Sequence, residues 1–523
     1  MKQNNKQAPL ITALMDPELY DHAVIQCQLI ETHISWVILT GDYAYKIKKP
    51  VNLGFLDFST LEKRRFYCQE ELRLNRRLAP AIYLDVVGIC GTPEHPFLRG
   101  DGDIIEYAVK MVQFPQDAQL DRVLARGDLQ FKKIDAIARM VAAFHQQINV
   151  ADRDSPYGGP EQVYQPVMEN FSQIHERISE KVHLKTLLQL QRWCESAYAS
   201  LRPVLLQRKV EGYIRECHGD MHLRNLAWHN GAPLAFDCLE FNANLRWIDV
   251  ISEVAFLVMD LHDHQQGQLA QRFLNAYLEQ TGDYGAIQVL RFYLVYRAMV
   301  RAKVDAIRAG QSGINPQERD DALKDFSGYL HLATRYTRVD KPRLIITRGL
   351  SASGKTTETQ PLLELMEAIR VRSDVERKRI YDIRPEQSTE SETGKGIYTA
   401  EATQQTYARL VELAGWVIDA GYSVIIDAAN LKQEQRLLFQ QLASQKRVAY
   451  IILEFTASAD TLRKRIMERK HDASDANLKV LEHQLEHWQP LSESEQAYAI
   501  NIDTEVTYNV VALLEKIRSM TYG

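Results

Sequence analysis

Eight consecutive residues constrain this chain more than any others: Gly349-Leu350-Ser351-Ala352-Ser353-Gly354-Lys355-Thr356 satisfies G-x-x-x-x-G-K-[ST] at every position. Leu344–Thr347 before it is a short apolar run and predicts a buried strand. Thr357 to Arg370 after it carries Leu362, Leu363, Leu365, Met366 and Ile369 and predicts a helix. Strand, glycine loop and helix together form an anion site, because loop N–H groups and the positive end of the helix converge on phosphate oxygens. Gly349 and Gly354 let the loop wrap closely, with Ser351, Ser353 and Thr357 among the residues expected against the nucleotide. Lys355 is placed to reach the β- and γ-phosphates, and the Thr356 hydroxyl to hold Mg²⁺. ATP and Mg²⁺ are therefore the expected cofactors.

A chain of 523 residues exceeds one ordinary core, so two or three domains are expected. Arg338-Val339-Asp340-Lys341-Pro342 reads as a linker, since the pattern changes at Pro342. After it, predicted strands Leu344–Thr347, Val371–Ser373, Ser423–Asp427 and Ala449–Phe455 alternate with helices at 356–369, 400–420, 433–444, 458–470 and 476–488. That alternation predicts an α/β domain, 343–523, with a parallel sheet covered on both faces. Ligands of such sheets sit outside the carboxyl ends of the strands. Asp374, at a strand end, is then placed as a general base near the γ-phosphate, and Arg377 to hold an acceptor. Asp427 ends an apolar strand and is expected to bind Mg²⁺.

The first half is organised differently. Residues 20 to 114 read as strands with one helix, Leu61 to Leu78. The strands are Ile34–Thr40, Tyr43–Lys48, Tyr83–Ile89 and Ile104–Phe114. From 118 to 337 the pattern is helical: Ile134 to Ile148, Tyr164 to Gln207 and Gln268 to Tyr336. A polar island interrupts it at Ile214 to Asp249. It contains His218-Gly219-Asp220-Met221-His222-Leu223-Arg224-Asn225, then Asp237 at the end of a strand-like run. The Asp-to-Asn spacing is that of the catalytic loop H-x-D-x-x-x-x-N.

With those residues, 20–330 resembles the aminoglycoside phosphotransferase and choline kinase group, small-molecule relatives of protein kinases. The resemblance implies an α+β, protein-kinase-like domain over 1–337. Asp220 would accept the proton of an attacking hydroxyl, and Asn225 and Asp237 would hold Mg²⁺. Lys46 fits the strand lysine that contacts phosphates, with Glu71 or Glu70 as its helical partner. Lys48 lies on the same strand face and is an alternative. No G-x-G-x-x-G precedes Lys46, so phosphate cover falls to Leu39-Thr40-Gly41. Gly219 stands where protein kinases carry arginine. The stretch from Asp237 to Asp249 is too short for a peptide-binding activation segment, which favours a small acceptor.

In the second half, Ser373-Asp374-Val375-Glu376-Arg377 and the basic run Leu462 to Lys470 resemble the polynucleotide kinase-like and zeta-toxin-like P-loop kinases. The resemblance implies a lid whose arginines, Arg465 and Arg469, reach the transferred phosphoryl group. The whole arrangement resembles bacterial fusions of an aminoglycoside phosphotransferase-like domain to an ATP-binding P-loop domain. The expected reaction is phosphoryl transfer to a hydroxyl of a small molecule. A P-loop ATPase switch with a kinase-like binding module is one alternative, and a nucleic-acid end-processing kinase is another. Residues 343–523 carry 23 basic and 26 acidic side chains and the remainder 40 and 42, so neither half offers the positive stripe that long nucleic acid demands. Six scattered cysteines without a C-x-x-C pair point to a reducing, cytoplasmic setting, and no apolar run reaches membrane-spanning length.

Overall fold

The computed structural model describes residues 7–521, apart from 55, 99–101, 312, 385–386, 388–395 and 469–476. The chain divides into two compact units, 1–166 with 205–260, and 167–204 with 261–523.

The first unit holds a six-stranded antiparallel sheet with spatial order 28–31, 35–39, 43–48, 104–112, 83–91 and 96–98. The short strands Gln28–Glu31 and Pro96–Leu98 lie at its two edges and carry too few alternating residues to be read from sequence. In Tyr43–Lys48 the period of two sorts side chains by face. Tyr45 and Ile47 join a core with Ile38, Val87 and Ile89. Lys46 and Lys48 share the opposite face. The helix Leu61–Asn75 packs there, started by Thr60, whose hydroxyl accepts from Lys63 N–H at 3.3 Å. It ends three residues before the predicted Leu78. The polar island becomes two short antiparallel pairs: Ile214–Glu216 with Trp247–Asp249, and the hairpin Leu226–His229 with Ala232–Ala235.

The second unit is built on a five-stranded parallel sheet with spatial order 369–372, 424–427, 343–348, 449–456 and 499–503. Ile345, Ile425, Ile451 and Leu453 pack against Leu362, Leu363, Leu513 and Ile517 of the covering helices. The strand Ala499–Asp503 and the helix Val510–Ser519 extend the α/β pattern beyond the predicted elements. The helix after the glycine loop runs Lys355–Met366 and not to Arg370. Glu367 takes a left-handed conformation (φ +52°) and caps it, so Ile369 and Arg370 enter the strand Ile369–Arg372. The predicted strand Val371–Ser373 is thereby displaced, and Ser373 opens a helix, Ser373–Ile380.

The predicted helical stretch Gln268 to Tyr336 is three helices, Gly267–Thr281, Ile287–Ala309 and Pro316–Tyr336, all in this unit. Gly282, at φ +74°, ends the first. That helix lies along the outer side of Ile369–Arg372 and completes its backbone hydrogen bonding. Ala368 O accepts from Gln271 Nε2 (2.5 Å) and Asn275 Nδ2 (3.1 Å), and Arg370 N–H donates to Asn275 Oδ1 (2.8 Å). Arg370 O accepts from Tyr284 Oη, 3.3 Å away, just past the helix. Each group would otherwise be a buried, unpaired polar atom.

His262 in the same unit is buried, with Nδ1 2.7 Å from Tyr336 Oη and no partner for Nε2. Burial, reinforced by the Arg335 charge, pushes its pKa down to about 3. An unfolded histidine takes up its proton near pH 6.5, so the folded state forgoes that proton as pH falls from there toward 3. Stability should drop in this window by up to about 1.4 kcal/mol per pH unit from this group. Urea unfolding of the wild type and His262→Gln at pH 7 and pH 5 checks this: the variant should show the smaller loss on acidification.

Candidate functional site

The glycine loop of the second unit connects the strand Arg343–Arg348 to the helix Lys355–Met366. Gly349 sits at φ +152°, and a Cβ there would lie 2.5 Å from Ser353 Oγ and 2.6 Å from Phe455 O, so no other residue fits. Gly354 takes φ +90° as the residue capping the helix. Lys355 Nζ folds back onto the loop, donating to Gly349 O (2.9 Å) and Leu350 O (2.8 Å). Ser353 Oγ is buried with no hydrogen-bond partner, a polar atom that phosphate oxygens would satisfy. Thr356 Oγ1 donates to Asp427 Oδ2 at 2.6 Å. Hydroxyl and carboxylate on one spot form an oxygen donor set suited to Mg²⁺, so the residues present fit both cofactors.

Loop, Thr356, Thr357 and Asp427 line one cleft of about 350 Å³ together with Asp374 and Arg377. Asp374 reaches it from the first turn of Ser373–Ile380. Arg377 is buried. Its Nη1 donates to Ile397 O (2.9 Å) and Thr403 Oγ1 (3.2 Å), and its Nε has no partner. Arg465 is turned elsewhere: it donates to Thr504 Oγ1 and Thr504 O, each at 2.9 Å, and to Ala352 O at 3.4 Å. It braces the outside of the loop and is not among the residues lining the cleft. Arg469 lies outside the described residues.

Sequence reasoning missed several cleft residues. Arg372 precedes Asp374 by two positions and lines the same wall. His483, Gln484 and His487 come from the helix Leu478–His487, and Gln484 Oε1 accepts from Ser351 N–H at 2.8 Å. The spacing of His483 and His487 on one helical face was the available signal.

The first unit gathers a second constellation. Lys46 Nζ meets Glu71 Oε1 at 2.8 Å and Asp237 Oδ1 at 2.5 Å. Lys48 Nζ meets Glu71 Oε2 at 2.7 Å and also bonds Glu240. Lys48 and Glu71 are fully buried, whereas Lys46 retains 12% side-chain exposure and borders Asp237, which is 48% exposed. Lys46 is therefore the lysine open to a ligand, and Lys48 is locked between two carboxylates. Glu70 faces away, pairing with Arg73 and Arg246. Burial alone would raise the Glu71 carboxyl, but the two ammonium groups outweigh it and hold it at about 2. Burial also works against a charged Lys46, but Asp237, Glu71 and Glu240 hold its pKa well above the ordinary value.

Asn225 Nδ2 donates to Asp220 Oδ2 and Asp220 O, both at 3.0 Å, and Asn225 O accepts from Phe236 N–H at 3.0 Å, next to Asp237. Asp237 takes φ +62°, with its N–H on Tyr83 Oη at 3.1 Å. Gly219 is explained by backbone: at φ +90° it donates to Glu253 Oε1 at 2.6 Å, and a Cβ would come within 2.9 Å of Leu245 O. His218 is buried, which lowers its pKa, and its Nε2 lies 2.9 Å from Phe236 O. Glu240 and Tyr83 carried no sequence signal, because their partners are distant in the chain.

Residues 69–290 match the family model of the phosphotransferase enzyme family, and residues 344–491 that of an AAA domain. An uncharacterized protein of Mycobacterium tuberculosis and one of Mycobacterium bovis are each 29% identical over 451 residues, 86% of this chain and 88% of the relative. Among solved structures, an amicoumacin kinase is similar at 15% identity and a TM-score of 0.40, over 62% of this chain and 93% of its own. Kti12 of Chaetomium thermophilum is similar at 17% identity and a TM-score of 0.28, over 34% of this chain and 100% of its own. No helix among the described residues is long and apolar enough to cross a membrane. The chain thus contains two family-matched segments, 69–290 like the phosphotransferase enzyme family and 344–491, around the glycine loop, like an AAA domain.

Proposed function

We propose that the protein is an ATP- and Mg²⁺-dependent phosphotransferase that moves the γ-phosphoryl group to a hydroxyl of a small molecule, with one nucleotide site in each half. The observation that carries this reading is the single cleft shared by the glycine loop, the Thr356–Asp427 pair and Asp374. A hydrolytic switch needs only a positioned water, whereas a base in a cleft of about 350 Å³ leaves room for an acceptor. That volume and the lack of a basic excess favour a small molecule over a nucleic-acid end.

In this mechanism Lys355 leaves its two loop carbonyls for the β- and γ-phosphate oxygens, and the loop N–H groups and Ser353 Oγ hold the rest. Mg²⁺, held by Thr356 and Asp427, supplies charge neutralisation. Asp374 accepts the proton of the acceptor hydroxyl. The bond from that oxygen to the γ-phosphorus forms as the bond to the β,γ-bridging oxygen breaks, and ADP leaves. In the first unit, Lys46 takes the phosphate role, Asp220 that of the base, and Asn225 with Asp237 the metal role.

Titration calorimetry of the full chain with Mg·AMP-PNP tests the two-site reading. The wild type should bind two per chain and Lys355→Ala one. A single site, abolished by Lys355→Ala, would reduce the first half to a non-catalytic binding module.

A further inference from the structure

Arg372 ends the strand Ile369–Arg372 and lines the cleft. Its Nε lies 3.7 Å from Asp427 Oδ2, the oxygen that also takes the Thr356 hydroxyl. Its Nη1 donates to Glu279 Oε1 at 2.9 Å. The guanidinium is thus held between two carboxylates, one at the metal pair and one on the helix Gly267–Thr281.

Glu279 is itself fixed. Its carbonyl accepts from Arg379 Nη2 at 2.6 Å, and its helix is tied to the strand through Gln271 and Asn275. The neighbouring arginines have other duties. Arg370 Nη1 donates to Thr356 O and its Nη2 stands 3.9 Å from Glu279 Oε2, a longer approach than that of Arg372, while Arg377 Nη1 donates to Ile397 O and Arg465 to Thr504. Arg372 is the arginine of the cleft wall that stands beside Asp427.

We propose that Arg372 is a catalytic residue of the P-loop site, bearing on the charge of the transferred phosphoryl group, and that Glu279 is its positioning residue. A helix inside the segment 69–290 then completes the site of the segment 344–491. In phosphoryl transfer the charge spreads over three equatorial oxygens, and a cation already aimed there acts without reorganisation. A carboxylate behind the guanidinium supplies that aim by fixing the planar fork. The inference rests on the P-loop reading above.

The test uses the full chain and no acceptor. Mg·ADP is titrated by calorimetry with and without aluminium fluoride, a planar mimic of the group in flight. In the wild type, fluoride should tighten ADP by about 10²-fold or more, as transition-state mimics do. Arg372→Gln should bind ADP within about 3-fold of wild type and lose that gain. Glu279→Gln should lose part of it, about 10-fold, and nothing further when added to Arg372→Gln, because it acts through the same guanidinium. ADP binding that is lost when Lys355→Ala is added to each variant reports that the P-loop site is folded.

Full fluoride tightening in Arg372→Gln would overturn the inference, as would wild-type ADP affinity that fluoride leaves unmoved. Additive losses in the double variant would reduce Glu279 to an independent structural contact. Wild-type protein that fails to bind Mg·ADP through Lys355 would instead defeat the nucleotide reading itself.

Discussion

Asp374→Asn is expected to leave ATP affinity nearly unchanged and to lower phosphoryl transfer by about 10²–10⁴, the usual cost of losing a general base. Lys355→Ala should instead lose nucleotide binding in the second unit. The contrast follows from position. Lys355 contacts the carbonyls of the glycine loop, where the proposed mechanism puts the phosphates, whereas Asp374 enters the cleft from the first turn of Ser373–Ile380. The asparagine is isosteric, so the cleft keeps its shape. ATP affinity by calorimetry and transfer to an acceptor found by screening metabolites for ATP consumption are the two measurements. Full transfer in Asp374→Asn removes it from the base role. Loss of ATP binding equal to that of Lys355→Ala places it in the metal site and favours a hydrolytic switch.

Glu71→Ala should destabilise the first unit by about 3–5 kcal/mol, the cost of breaking a buried ion pair by removing one partner. Glu71 sits between Lys46 and Lys48, so its loss leaves two ammonium groups sharing only Asp237 and Glu240. The acid side of the profile follows with a definite sign. Its carboxyl is held at about 2, below the ordinary 4.5, so its contribution is complete above pH 4.5 and is lost as pH falls toward 2. Urea unfolding followed by a first-unit probe such as Trp36 fluorescence reads both effects. A loss under about 1 kcal/mol would mean that the lysines find compensation elsewhere.

The sequence made the glycine loop legible because phosphate chemistry demands local residues at fixed offsets. Lys46 with Glu71 was half legible: strand and helix periodicity put both lysines on one face, but only packing separates Lys46, open beside Asp237, from Lys48, sealed by Glu240. The strand at Asp374 was placed two residues late because Ile369 continues a helical apolar pattern. Glu367, which ends that helix, is a good helix former and carries no stop signal. Arg465 is a different case. Its lid role was implied by resemblance, and the atoms it meets, Thr504 and Ala352 O, come from segments far apart in sequence. Arg372 and Glu279 were invisible together for the same reason, being separated by a domain-scale stretch of chain.

The helix along Ile369–Arg372 has a consequence for how the two halves could ever be parted. Cutting at Pro342, where composition changes most sharply, would strip Gln271, Asn275 and Tyr284 from Ala368 O, Arg370 N–H and Arg370 O. The fragment would then present an open strand edge, a template for aggregation with its own copies. The covalent boundary that composition marks at Pro342 is therefore not the boundary at which the sheet is complete, which lies before Gly267.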